Sequence, residues 1–117
     1  MLAAGLAAGA CGAAPAWSWS AAGGDWAGAW TRWKATFLRP EGRVVDALQG
    51  DASHSEGQGR ALLLAVAFDD PGTFARVAGW TQAHLAVRRD PLLAWRWRPG
   101  EGVADHNNAS DGDLFYA

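Results

Sequence analysis

The unbroken apolar run from Ala61 to Phe68 constrains the fold of this chain more than any other stretch. It follows Ser53-x-x-Glu56, the spacing of a capping box, and so reads as the body of a helix that starts near Ser53. A helix that is apolar on all sides has no face for water and is a buried one. Other helices must enclose it.

The chain offers few of them. Trp26, Trp30, Trp33 and Phe37 recur at helical spacing and line one face of a helix, with Asp25 as its N-cap and Pro40 and Gly42 ending it. Arg43 to Leu48 is a short extended stretch before the Gln49-Gly50 turn. Asp70-Pro71 restarts a helix with an N-cap and a proline at its first position, and Phe74, Val77, Thr81 and Leu85 mark its inner face. Pro91 closes that region, Pro99 to Gly102 is a turn, and a polar loop from Ala104 to Ser110 leads into a last short helix beginning near Asp111. Helices alternating with loops and no convincing strand pair give an all-α class. Three helices and the stub of a fourth are too few to cover the buried one, so the chain is expected to have a partner or to be part of something longer.

Residues 1–16 are rich in Ala, Leu and Gly, carry no charged side chain and end in Ala14-Pro15-Ala16, the pattern of a secretory signal without its basic start. A mis-set start codon or a loose Ala/Gly tail fits the same residues. The stretch is too short and too rich in small residues to span a bilayer as a stable helix. Residues 17–24 then read as a linker and 25–117 as the folded part. Cys11, the single cysteine, rules out an intrachain disulfide and a multi-Cys metal site; it reads as an inert or removed thiol, or as a lipid-attachment site.

A formal charge of -2 argues against a general grip on nucleic acid, which needs a basic face. Trp95-Arg96-Trp97-Arg98 interleaves indoles and guanidiniums and reads as packed Trp covered by Arg stems, or as a stacking surface. His54, His84 and His106 show no zinc spacing, and a serine adjacent to His54 is not a catalytic pair. Asn107, Asp111 and Gly112 fit a calcium loop only in part, since Ala109 stands at a ligand position. No metal and no cofactor is expected.

Two acidic segments remain, Gly50 to Gly59 around Glu56 and Asn107 to Leu114 around Asp111. Glu56 has two open readings. As a capping residue it bonds back to the Ser53 backbone. As a functional group it stands at the mouth of a buried helix, where an apolar wall disfavours the charged form and suits a general acid, with Gly57 and Gly59 leaving room for a ligand. Asp111 and Asp113 read as helix-start residues or as a second acidic site.

Together Trp33-Lys34-x-x-Phe37, Gly42-Arg43-Val44-Val45-Asp46, Gln49 to Gly59, Trp80-Thr81, Arg88-x-Asp90, Leu93 to Trp97 and Asp105 to Leu114 resemble the bacterial glycoside hydrolases of family eight, and within them the periplasmic endoglucanases encoded beside cellulose synthase. The resemblance implies the N-terminal portion of an (α/α)6 barrel that cleaves β-1,4-glucan with inversion, in the periplasm or outside the cell. Glu56 is then the general acid, and Asp111 positions the sugar ring at the cleavage point. Trp95, Trp97 and Gln58 are candidate glucan-binding residues. The base belongs, in the family pattern, to a later part of the chain, and nothing here matches that part. An inverting pair needs two carboxyls roughly 6.5 to 9.5 Å apart. The chain is thus expected to be a truncated enzyme that is inactive alone, the alternative being a non-catalytic remnant that only binds glucan. Where the family carries an aromatic residue and a glycine after Gly59, this chain has Arg60 and Ala61.

Overall fold

A computed structural model describes residues 24–117; the expected signal, most of the linker and Cys11 lie outside the described residues. Four helices dominate: α1 (Trp26–Phe37), α2 (Ser55–Ala67), α3 (Pro71–His84) and α4 (Ser110–Tyr116). The only sheet among the described residues is a two-residue antiparallel pair, β1 (Ser53–His54) with β2 (Arg96–Trp97), in the register Ser53 to Trp97 and His54 to Arg96. The all-α class stands. None of the described helices is long and apolar enough to cross a membrane.

Local chemistry starts α1 and α3 where the sequence places them. Asp25 accepts from the Gly28 amide, and Asp70 accepts from the Thr73 amide with Pro71 at the first helical position. The start of α2 differs. Ser53 pairs with β2 instead of capping, and the N-cap position belongs to His54, whose side chain makes no capping bond. The capping box is absent because a non-local strand pair claims the residue that would have formed it.

α2 is buried on one face only. Ala61, Leu62 and Ala65 lie inside, whereas Leu63 and Val66 are 50% and 67% exposed. α1, α3 and α4 reach part of its circumference, and among the described residues nothing covers the rest. Phe74 is likewise exposed, so the inner face of α3 runs through Thr73, Val77, Trp80 and Thr81. One core cluster joins Val44, Ala61, Leu62 and Val77; a second joins Trp80, Leu85 and Leu93.

Two polar groups hold these layers together. Gln58, with no exposed surface, accepts from the Val44 amide at 2.6 Å and donates to the Gly42 carbonyl at 3.0 Å and to Thr81 Oγ1 at 2.9 Å. It ties the loop after α1 to α2 and α3. Asp70 takes hydrogen bonds from Lys34 Nζ at 2.7 Å and Trp30 Nε1 at 3.0 Å, which fastens α1 to the start of α3. The Lys34 contact, followed by the Thr73 and Trp30 bonds, holds its carboxyl far below the usual carboxylate range.

Two outcomes follow. Gln58→Leu leaves the Val44 amide and Gly42 carbonyl unpaired in the core, and denaturant unfolding is expected to show a loss of about 2–3 kcal/mol. Because the folded carboxyl of Asp70 is depressed, its stabilisation is present above about pH 4 and is lost as pH falls below that value. Asp70→Asn should therefore lower the melting temperature at pH 7 and bring variant and parent together in acid.

Candidate active site

A cleft of about 380 Å3 opens at the N-terminal end of α2, between the Val44–Asp46 loop and the segment carrying Trp95. Its walls include Val44, Asp46, His54, Glu56, Arg60 and Trp95, with Ala109 from the approach to α4. The β1–β2 pair builds it, because Ser55 N donates to the Trp95 carbonyl at 3.0 Å and so seats the first turn of α2 beside that tryptophan.

Glu56 lies on the wall, in the first turn of α2. Its carboxylate does not face the apolar wall expected of it. Arg60, one turn on, pairs with it at 2.5 Å, and the two side chains are 39% and 61% exposed for Glu56 and Arg60 respectively. The Arg60 guanidinium also sits over the Phe115 ring at 5.8 Å.

The glycines around Glu56 serve packing between helices more than ligand access. A Cβ on Gly59 would run into Phe115, and one on Gly112 would run into Ser55 and the Glu56 amide. These two close approaches bring α4 against the start of α2. Gly57 faces the cleft, with Val44 the nearest group to its missing side chain. Asp111 stands between Ala109, which lines the cleft, and Gly112, which packs on Ser55. Its carboxylate is exposed and accepts from the Gly112 amide at 2.8 Å. Asp113 has both oxygens engaged, by the Leu93 amide and by Asn108 Nδ2, each at 2.8 Å.

The two candidate tryptophans part company. Trp95 is on the cleft wall and is held on several sides: Nε1 donates to Asp105 at 2.8 Å, the backbone amide donates to Asn107, and the His54 ring stacks at 5.8 Å. The Arg96 guanidinium lies over its ring at 4.3 Å. Asp105 is kept below the ordinary carboxylate range by the Asn107 amide and then by this indole N–H. Trp97 instead packs edge-on against Trp80 at 5.5 Å, with Arg43 over its ring, and is spent in the second core cluster. Gln58 is also displaced from its expected role, because its buried amide is fully engaged by the protein.

Asp46 and His54 line the cleft without having been candidates. Asp46 stands in the Gly42 to Asp46 motif, and both its oxygens are taken, by the Leu48 amide and by Gln49 Nε2. His54 directly precedes Ser55-Glu56, and that adjacency was the available signal. Among the described residues no group of three or more His, Cys, Asp or Glu side chains could hold a metal ion.

Residues 4–117 match the model of the glycosyl hydrolases family 8. The chain belongs to glycoside hydrolase family 8. It is 44% identical over 91 residues to an endoglucanase of Cellulomonas uda, covering 76% of this chain and 25% of that protein. A probable endoglucanase of Novacetimonas hansenii is 43% identical over 90 residues, covering 75% and 26%. Among solved structures, endoglucanase Cel10 from Klebsiella pneumoniae superposes with a TM-score of 0.73 at 46% identity, over 75% of this chain and 29% of that one. The endo-β-1,4-glucanase CMCax from Acetobacter xylinum gives 0.70 at 43% identity, over 74% and 28%. The chain thus spans about a quarter of the length of these curated relatives, and its helices form part of an (α/α)6 barrel.

The packing of α4 on α2 separates the two glycines beside Glu56. Gly112→Ala should cost about 1–3 kcal/mol in denaturant unfolding, because backbone on one side and Ser55 on the other leave the new methyl no space. Gly57→Ala, whose methyl would meet Val44 Cγ1 at an ordinary 3.5 Å, should leave the helix contact intact.

Proposed function

We propose that this chain forms the acid-bearing wall of an endo-β-1,4-glucanase cleft that cleaves β-1,4-glucan with inversion. The observation that carries the reading is the shared cleft: Glu56, the proposed general acid, and Trp95, a flat amphipathic plate suited to a sugar ring, line one opening. The endoglucanases to which the chain is similar support the substrate class. Asp111, exposed between Ala109 on the cleft wall and Gly112 against Ser55, is the proposed ring-positioning carboxylate.

The acid role needs a proton on Glu56 and a partner that leaves. Arg60 is that partner: its exposed side chain can leave Glu56 and turn to solvent or stay over Phe115 as sugar enters. The glycosidic oxygen then takes the Glu56 proton as its bond to the anomeric carbon breaks, while water, deprotonated by a second carboxylate on the opposite side of the ring, attacks that carbon. Among the described residues the other carboxylate on the cleft wall, Asp46, has its oxygens engaged, as does Asp113. The resemblance to family eight implies a base in a later part of the enzyme, outside this chain. A location in the periplasm or outside the cell, and a functional link to cellulose synthase, belong to the same proposal.

Reducing-end release from a soluble cellulose derivative tests the division of labour. The 117-residue chain should bind cello-oligosaccharide and release little or no product. Joined to the base-bearing part, it should turn over, and Glu56→Gln should lower the rate by about 10²–10⁴-fold. Turnover by the chain alone that Glu56→Gln abolishes would place the base within it. Binding that never yields turnover, with the base-bearing part present, would favour a non-catalytic glucan-binding protein.

A further inference from the structure

The cleft holds a polar group to which neither the acid nor the ring-positioning role gives a task. His54 occupies the junction of β1 and α2, where its backbone is extended, at φ -113° and ψ 145°. Its ring is half-buried, lies against Trp95 with centroids 5.8 Å apart and planes 28° apart, and lines the same opening as Glu56. Among the described residues neither ring nitrogen meets a hydrogen-bond partner. His84 shows the contrast, with Nδ1 at 2.9 Å from the Trp80 carbonyl oxygen. Beside His54, the buried Ser55 hydroxyl is also without a partner in the described structure.

We infer that His54 is a substrate-binding residue of this cleft, holding a hydroxyl of a sugar bound in the cleft beside Trp95. The inference rests on the glucan reading above and adds a contact to it. Partial burial lowers the imidazole below its usual range; Asp46 and Glu56 pull the other way, and Arg96 and Arg98 reinforce the lowering. A neutral imidazole presents one N–H donor and one lone pair. A sugar hydroxyl is likewise both donor and acceptor, so either tautomer finds a match. The position is apt for catalysis as well. Only Ser55 separates His54 from Glu56 along the chain, and a hydroxyl fixed at His54 sets the sugar's position beside Trp95 and hence the oxygen presented to the acid. The stack on Trp95 keeps the imidazole from turning away, so little ordering is needed when the sugar arrives.

The test is a titration of the 117-residue chain with cello-oligosaccharide, followed by tryptophan fluorescence, for the parent, His54→Phe and His54→Gln. Phenylalanine keeps an aromatic ring against Trp95 and removes both nitrogens; glutamine restores a donor and an acceptor without the ring. His54→Phe should weaken binding about tenfold, the effect of losing one hydrogen bond to a neutral group. His54→Gln should recover most of that loss, and the thermal midpoint of His54→Phe should stay near the parent's. Parent-like binding by His54→Phe would overturn the inference while leaving the glucan reading in place, and so would an equal loss in both variants. Failure of the parent itself to bind would overturn the glucan reading and this contact with it.

Discussion

The Gln58 amide locks three parts of this chain together, the loop after α1, α2 and α3. It is buried in the second turn of α2 and spends its oxygen on the Val44 amide and its nitrogen on the Gly42 carbonyl and Thr81. These bonds fix the loop after α1 against α2 and α3, and that loop supplies Val44, Val45 and Asp46 to the cleft. A buried amide with every partner in place specifies one arrangement, because any shift of the loop strands a polar group in the core. The carboxylate of Glu56, two residues earlier, inherits its place from this clamp.

A second set of contacts comes from the other end of the chain. Asp105, Asn107 and Asp113 reach the segment from Leu93 to Trp95, and Gly112 allows α4 to settle on Ser55. The polar loop before α4 is thus a frame that presents Trp95 to the cleft, and its carboxylates are occupied in holding it. One acidic side chain in that region, Asp111, stays exposed with an oxygen directed only to its neighbour's amide. The two acidic segments are therefore unequal partners: one bears the proposed acid, and the other mostly builds the wall opposite.

The helices at 26–37 and 71–84 were legible because their caps are local: Asp25, Asp70 and Pro71 act within one turn. The start of α2 was not, since Ser53 is claimed by a strand more than forty residues away. The same long reach hid the role of Gln58, whose partners come from the loop after α1 and from α3. Trp95 and Trp97 have near-identical local surroundings in sequence, and only the tertiary neighbours Asp105 and Trp80 send one to the cleft and the other to the core. The family was legible throughout, because its motifs are long. Gly59 looked like space for a ligand and is space for Phe115.

On the proposed reading, glucan occupies the cleft between Glu56 and Trp95, and not the apolar groove that Trp26, Trp30, Trp33 and Phe68 form between α1 and α2. Amide and indole NMR shifts of the 15N-labelled chain during addition of a cello-oligosaccharide measure this most directly. Saturable shifts are expected at His54, Glu56, Gly57, Ala109 and the Trp95 indole, with Trp30 and Trp33 unmoved. Shifts confined to the Trp30 and Trp33 groove, or none at saturating sugar, would contradict that reading.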